Sequence, residues 1–215
     1  MSFNTKNHWL ASGFLALSIL LTGCGGSSSS SDSGDANTDS TSDSTTETSS
    51  STLSGTAATG AAIDGFVYVV DALGTQVNVA IEDDGSFSVT VDGMTAPFLL
   101  FADPSNGEDD QYSYAEEADV TVNITPMTTL AMFLANNEQS LADLASGWSS
   151  SASSFSVDNL EEIQAAVNAN FYSLFSGQGL DGSTYDFFSD AFSADGSGFD
   201  ALLDSLEIDI DQDGS

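Results

Sequence analysis

The sequence predicts an α+β protein, in which an antiparallel β-sandwich is followed by a small α-helical region and preceded by a cleaved signal peptide and a disordered linker. An apolar N-terminal run ends at the only cysteine, short β-prone runs follow a serine-rich stretch, and apolar residues recur at helical spacing after Pro126. The predicted segments of the 215-residue chain are the signal peptide 1–23, the cysteine and linker 24–52, the sandwich 53–125, the helical region 126–206, and an acidic tail or the start of a further β segment 207–215.

The first segment has the layout of a secretory signal peptide. A polar start contains the only Lys/Arg residue, Lys6, and the only histidine, His8, and an apolar run follows from Trp9 to Leu21. This run of about 13 residues is shorter than the roughly 20 that a membrane-spanning helix needs. We therefore expect the segment to be removed rather than folded.

The tetrapeptide Leu21-Thr22-Gly23-Cys24 resembles the lipobox of bacterial lipoproteins. The resemblance implies cleavage after Gly23, a diacylglyceryl group on the Cys24 thiol, and attachment to the membrane through that lipid. Gly25 stands where the resemblance would place an inner-membrane retention aspartate, so it favours the outer membrane, with the protein facing either the periplasm or the cell surface. The alternative is an ordinary signal peptide with a coincidental cysteine.

The predicted mature chain is strongly acidic, because it keeps all 33 Asp and Glu residues and loses Lys6 and His8. Nucleic acid is excluded as a direct partner, since phosphate binding needs Lys or Arg to displace counterions. The carboxylates must be satisfied by water, hydroxyls, backbone N–H groups or bound cations. Two interpretations stay open: the acids only keep an exposed protein soluble, or some of them bind calcium.

The linker contains only Gly, Ser, Thr, Asp, Asn, Ala and Glu after Cys24 and cannot bury enough apolar surface to fold. As a flexible coil its reach is roughly 30 Å. We expect it to hold the folded part clear of the membrane.

Residues 53–125 contain short β-prone runs separated by turn residues. Strands this short, spaced by about ten residues, favour an antiparallel sandwich. The predicted strands are Leu53–Ala58, Phe66–Val70, Gln76–Ile81, Ser86–Val91, Phe98–Ala102, Gln111–Ala115 and Val120–Ile124.

The third and fourth of these strands are predicted to form a hairpin. Val77 and Val79 alternate with polar or small residues, as do Phe87 and Val89, and Asp83-Asp84-Gly85-Ser86 between them supplies turn residues. The glycine of this turn is expected to take a positive φ.

Three stretches, Leu53-Ser54-Gly55-Thr56, Ala62-Ile63-Asp64-Gly65 and Asp84-Gly85-Ser86-Phe87, make residues 53–125 similar to the carboxypeptidase-regulatory-like, transthyretin-like β-sandwich of bacterial surface proteins. The resemblance implies a seven-stranded Greek-key module that stabilises or binds, with no catalytic residues. Two further runs, Pro126-Met127-Thr128-Thr129-Leu130 and residues 192–206, make residues 53–211 loosely similar to uncharacterised bacterial lipoproteins that carry the same sandwich. The chains of those lipoproteins commonly continue into further β structure.

Helices are predicted over about residues 127–135, 158–177, 185–192 and 199–206. Leu130, Phe133 and Leu134 are expected along one side of the first helix, and Leu202, Leu203 and Leu206 along one side of the last. In the longest helix, Asp158 and Glu161 have the spacing of a capping box and Gly177 stands where a C-cap glycine belongs. Its predicted apolar stripe is Leu160, Ile163, Val167, Phe171 and Leu174.

The mature chain lacks the residues of most catalytic chemistry. Without His, Lys or a free thiol it cannot form a nucleophilic triad, a Ser–Lys dyad or a Cys/His zinc site. A carboxylate-based glycan hydrolase stays open as a lower alternative, with Glu116-Glu117 or Glu108-Asp109-Asp110 as candidate acids. We expect no enzymatic activity.

Calcium is the candidate cofactor. Asp209, Asp211 and Asp213, followed by Gly214, fit the D-x-D-x-D-G opening of an EF-hand-like loop, although the later ligand positions lie beyond Ser215. An acidic tail with alternating residues is the alternative interpretation. A second candidate joins Glu108-Asp109-Asp110 to Asp103, with a solvated loop as its alternative.

These observations together predict a lipid-anchored cell-envelope protein with a structural or interaction role, such as adhesion or the binding of protein or glycan. A calcium-dependent binding module is the alternative.

Overall fold

The computed structural model describes residues 50–206 together with Ile208 and Ile210. The predicted signal peptide, its Leu21-Thr22-Gly23-Cys24 motif and most of the linker lie outside the described residues, as do Asp209, Asp211 and Asp213. The described part contains seven strands in two mostly antiparallel sheets and five helices, so the predicted α+β class is confirmed.

Each predicted strand is present, with small differences at its ends. The strands are β1 (Thr52–Thr56), β2 (Gly65–Val70), β3 (Gln76–Ala80), β4 (Ser86–Thr90), β5 (Phe98–Pro104), β6 (Gln111–Ala115) and β7 (Val120–Thr121). One sheet has the order β4-β1-β7 and the other β3-β2-β5-β6. All neighbours are antiparallel except β1 and β7.

The two sheets share an apolar core. Leu53 and Val89 of the three-stranded sheet belong to the same buried cluster as Val67 and Leu100 of the four-stranded sheet. The alternation of β4, in which Phe87 and Val89 are buried and Ser88 and Thr90 are exposed, follows the period of two that its sequence predicts. The close approach of β1 to the chain after β7 requires Gly55, since a Cβ there would overlap the Val122 carbonyl group.

The predicted hairpin between β3 and β4 is wrong. β3 pairs with β2, and β4 pairs with β1 in the other sheet. The turn between them does form, because Gly85 has φ 82° and the Glu82 N–H donates to the Ser86 carbonyl oxygen at 2.9 Å. The same turn chemistry therefore carries the chain from one sheet to the other.

The helices cover part of the outer face of the four-stranded sheet. They are α1 (Pro126–Ala135), α2 (Leu141–Ser146), α3 (Trp148–Ser151), α4 (Val157–Gly177) and α5 (Gly198–Asp204). Their buried side chains form a second apolar cluster with Val70, Leu99, Tyr112 and Tyr114 of the sheet. Trp148 is fully buried in this cluster, and its Nε1–H donates to the Pro97 carbonyl oxygen at 3.2 Å. No helix among the described residues is long and apolar enough to cross a membrane.

The predicted helix at residues 185–192 is wrong, because this segment consists of turns. It forms a single helix-like turn, in which the Asp190 N–H donates to the Asp186 carbonyl oxygen at 2.7 Å, but contacts with Asn123 take the place of further helical hydrogen bonds. The Asp186 carboxylate accepts hydrogen bonds from the N–H groups of Phe188 and Ser189, and the Phe188 carbonyl oxygen accepts one from the Asn123 N–H at 2.7 Å. Thr125, by contrast, caps α1 through a capping box with Thr128.

The ends of α4 also differ from the prediction. Ser156, rather than Asp158, is the N-cap and accepts a hydrogen bond from the Asn159 N–H, so no Asp158–Glu161 capping box forms. Gly177 is the last helical residue and Gln178 is the C-cap.

The apolar stripes of α1 and α4 are partly displaced. In α4, Phe175 is fully buried and Leu174 is exposed. In α1, Met127, Ala131 and Met132 are buried, whereas Leu130 and Phe133 are partly buried and Leu134 is exposed.

Candidate functional site

A row of aromatic side chains crosses the outer face of the four-stranded sheet. Tyr68 lies directly opposite Phe101 of β5 and Asn78 of β3, and Phe101 lies opposite Tyr112 of β6. The rings of Tyr68 and Phe101 are stacked, with centroids 4.9 Å apart and planes at 11°. The Phe101 and Tyr112 rings are 5.9 Å apart and tilted by 32°.

One end of this row is open to solvent and the other end lies under the helices. Tyr112 is buried, whereas Tyr68 and Phe101 are partly exposed. Phe66 lies two residues before Tyr68 on the same face and is 45% exposed. We call the surface formed by Phe66, Tyr68 and Phe101 the aromatic face.

Polar side chains surround the aromatic face because the strand register places them there. Asp103 lies opposite Phe66, and Asn78 lies opposite Tyr68. Where the sheet meets α2, a cleft of about 280 Å³ is lined by Phe101, Gln76, Asp110 and Ser146, among others. Ring faces, carboxylates, amides and a hydroxyl are thus combined in one site.

Asp110 has the most unusual electrostatic environment of this site. Its burial, followed by the nearby negative charge of Asp103, raises the pKa of the Asp110 carboxyl, although the Tyr112 hydroxyl donates to its Oδ2 at 3.4 Å. Burial, together with the charge of Asp110, also raises the pKa of the Tyr112 hydroxyl, so it stays protonated at neutral pH. The site can therefore offer both hydrogen-bond donors and acceptors.

Only some of the candidate acidic residues predicted from the sequence lie close to one another in the structure. Asp103 and Asp110 are close enough to affect each other electrostatically. However, no group of three or more acid, His or Cys side chains in residues 50–206 has a metal-binding arrangement, so the site joining Glu108-Asp109-Asp110 to Asp103 is not formed. Glu116 and Glu117 are exposed and line another cleft beside α4.

Sequence reasoning missed the aromatic face because β2 and β5 are apolar on both faces. Val67 and Val69 alternate with Phe66 and Tyr68, so the polar contrast that marks an exposed face is absent. The useful signal was the side-chain class: Val67 and Val69 face the shared core, whereas the aromatic Phe66 and Tyr68 face outward, together with Val70 at the end of the strand.

The chain was compared with known protein families, curated proteins and solved structures. No protein-family model, curated protein or solved structure matches the chain.

Proposed function

We propose that this protein is a lipid-anchored cell-envelope surface protein with a non-catalytic interaction role, and that its aromatic face binds glycan. The observation that carries the proposal is the stacked Tyr68–Phe101 pair beside the exposed Phe66 ring, on an outer sheet face rather than in a core. Exposed apolar surface of this kind, rimmed by polar groups, typically marks an interaction site.

Glycan fits the chemistry of the site. Flat ring faces can accept the apolar C–H face of a sugar, because the face of an aromatic ring is its electron-rich side. Asn78 and Asp103, adjacent to the rings, can hydrogen-bond sugar hydroxyls from the same side. The cleft at α2 extends the surface with Gln76 and Asp110.

Calorimetric titration with a panel of soluble polysaccharides and cell-wall oligosaccharides tests this proposal. We expect Phe66→Ala/Tyr68→Ala to weaken glycan binding by about tenfold, because two stacking surfaces are lost. The matched control is Leu73→Ala/Tyr172→Ala, which removes two exposed apolar side chains elsewhere. Equal affinities for both double variants would contradict glycan binding at the aromatic face.

The lipid anchor is supported by the sequence Leu21-Thr22-Gly23-Cys24, by the uniqueness of Cys24 and by the linker that follows it. Two or more acyl chains anchor a protein stably, whereas one is marginal. Cys24→Ser should abolish labelling by palmitate in cells, while Cys24 in the unaltered chain should be labelled. Persistent labelling of the variant would refute the assignment, and fractionation of the membranes tests the proposed outer-membrane location.

A Greek-key, transthyretin-like sandwich is part of the same proposal. The division of seven strands into sheets of three and four, and the shared apolar core of both sheets, support it. The parallel β1–β7 pair is a departure from a purely antiparallel arrangement.

A carboxylate-based glycan hydrolase is the second candidate, because burial, followed by the charge of Asp103, raises the pKa of the Asp110 carboxyl beside the aromatic face. A raised pKa suits a general acid, and Asp103 would then act as the nucleophile or base. Release of reducing ends that is lost in Asp110→Asn, with glycan binding retained, would favour the hydrolase. Glycan binding without any release would favour the non-catalytic role.

A further inference from the structure

A second cleft, also of about 280 Å³, lies between the end of β6, β7, the start of α4 and the turns around Phe188. Val120, Val157 and Leu160 contribute apolar walls, and the exposed carboxylates of Glu116 and Glu117 also line it. We call it the β7–α4 cleft. Its volume is slightly below the roughly 300–1,000 Å³ of small-molecule pockets, which suits one or two side chains of a larger partner.

The backbone of β7 is open at this cleft. Val122 and Ile124 donate their N–H groups to carbonyl oxygens of β1, so alternation directs the backbone groups of Thr121 and Asn123 away from β1. The Asn123 N–H is used by Phe188. Thr121 is exposed, lines the cleft, and makes no backbone hydrogen bond with any described residue outside its ladder with β1.

An open strand edge is a template for another extended chain. The contact between Asn123 and Phe188 already occupies the neighbouring position on this edge. A segment that lies in the cleft can pair with both backbone groups of Thr121, the position that this contact leaves open, and run on along the cleft. Its alternate side chains would then point into the cleft or along its rim.

The charge of the cleft determines which segment fits. Glu116, Glu117 and Glu161 are exposed and line the cleft, and residues 50–206 contain no Lys, Arg or His that could pair with them. A second copy of this chain cannot supply the missing cationic side chains either, since its only Lys/Arg and His residues lie in the predicted signal peptide. The acidic segment 207–215 is repelled for the same reason.

We propose that the β7–α4 cleft docks an extended, lysine- or arginine-bearing segment of a partner protein. The backbone of the segment pairs with Thr121, its cationic groups meet Glu116, Glu117 and Glu161, and the aliphatic parts of its side chains lie against Val157 and Leu160. This interaction is separate from the glycan-binding proposal and does not depend on it.

The test uses the full chain, solubilised in an uncharged detergent, and a fluorescent peptide of alternating lysine and threonine with blocked ends. We expect saturable binding that weakens as salt is added. Glu116→Gln/Glu117→Gln/Glu161→Gln should weaken it by about tenfold, because three exposed ion pairs are lost. The control Glu82→Gln/Asp83→Asn/Glu108→Gln removes the same charge elsewhere and should change the affinity by less than about twofold.

A second peptide separates strand pairing from charge alone. Methylation of every backbone nitrogen keeps every lysine but removes the N–H donors from both edges of the peptide, and it should abolish most of the binding. Equal loss in both triple variants would mean diffuse attraction and would overturn the proposal. So would the absence of saturable binding, or binding of the methylated peptide or free spermine as tight as that of the first peptide.

Discussion

The Thr129 hydroxyl accepts a hydrogen bond of 2.9 Å from the backbone N–H of Tyr112 and so satisfies the free edge of β6. The neighbouring Thr128 hydroxyl donates to the Tyr112 carbonyl oxygen at 2.8 Å. Two consecutive side chains of α1 therefore take the place of a further strand. This contact joins the sheet to the helical region and covers an edge that could otherwise pair with another chain.

Thr129→Val should lower the free energy of unfolding by about 1–3 kcal/mol, because the shape is kept and the buried Tyr112 N–H loses its acceptor. Urea denaturation followed by circular dichroism measures this change. The control Thr90→Val lies at an exposed position of β4 and should change stability by less than about 0.5 kcal/mol. An equally small effect at Thr129 would contradict the role of its hydroxyl.

The Asp71 carboxylate organises the turn after β2. Burial by itself would raise the pKa of Asp71, but hydrogen bonds from the N–H groups of Thr95, Thr75 and Leu73 outweigh it and lower the pKa below its ordinary value of 3.8. The resulting stability is present above pH 3.8 and is lost as the pH falls through the lowered pKa.

Asp71→Ala should therefore cost about 2–3 kcal/mol at pH 7, because three partly buried hydrogen bonds lose their shared charged acceptor. Part of this cost should disappear at the lowest pH at which the unaltered chain still folds. Melting temperatures across pH 2–7 measure the difference. A cost that is independent of pH would mean that packing, not the carboxylate charge, explains the effect.

Asp200 has the opposite pH dependence. Burial, followed by the charges of Asp204 and Asp195, raises its pKa, although the Gly196 N–H donates to Oδ2 at 2.7 Å. The Oδ1 atom is buried without a hydrogen-bond partner among the described residues. The protonated form is favoured in the folded state, so its stability contribution is fully present below pH 3.8 and is lost as the pH rises through the raised pKa.

Asp200→Asn should raise the melting temperature at pH 7, since it removes a buried charge while keeping an acceptor for Gly196. The gain should shrink as the pH is lowered toward 3.8, where Asp200 of the unaltered chain becomes protonated. Asp143→Asn is the control, since it removes an exposed charge that does not contribute to the raised pKa of Asp200. A gain in melting temperature that is the same at all pH values would contradict the raised pKa of Asp200.

The strands could be predicted because their residue types and turns are local properties. How they pair could not be predicted in the same way. Val77 and Val79 are only half-buried, and the Gly85 turn would serve a hairpin or a change of sheet equally well. The choice depends on competing partners: β3 pairs with β2, which directly precedes it in the sequence, whereas β4 pairs with β1, which lies three strands earlier.

The helices, like the strand pairing, could be predicted only in part from local sequence. Trp148 lies in a short helix that the serine-rich sequence around it does not indicate, and its burial comes from Tyr114 and Phe155, whose rings lie 6.1 and 5.6 Å from it. Residues 185–192 have helical spacing but are held as turns by Asn123. Tertiary contacts decide both cases.

The calcium site at Asp209, Asp211 and Asp213 stays a prediction. Calorimetric titration of the full chain with calcium, and separately with magnesium, tests it in moderate salt. Saturable, calcium-selective binding that is lost in Asp211→Ala is the expected result for an EF-hand-like loop. Weak heats that are equal for both ions would mean that the acids are only solvated.

Asn123 connects the three-stranded sheet to the turns that replace the predicted third helix. It is fully buried, its Nδ2 donates to the Asp190 carbonyl oxygen at 2.8 Å, and its Oδ1 accepts from the Thr56 N–H at 3.3 Å. Asn123→Leu should lower the free energy of unfolding by about 2–4 kcal/mol, because these buried partners lose their hydrogen bonds. It should also speed amide exchange at Phe188, Ser189 and Asp190 more than in β2, because the turns would be released from the sheet edge. Uniform acceleration across the protein would indicate global destabilisation and would contradict this local role.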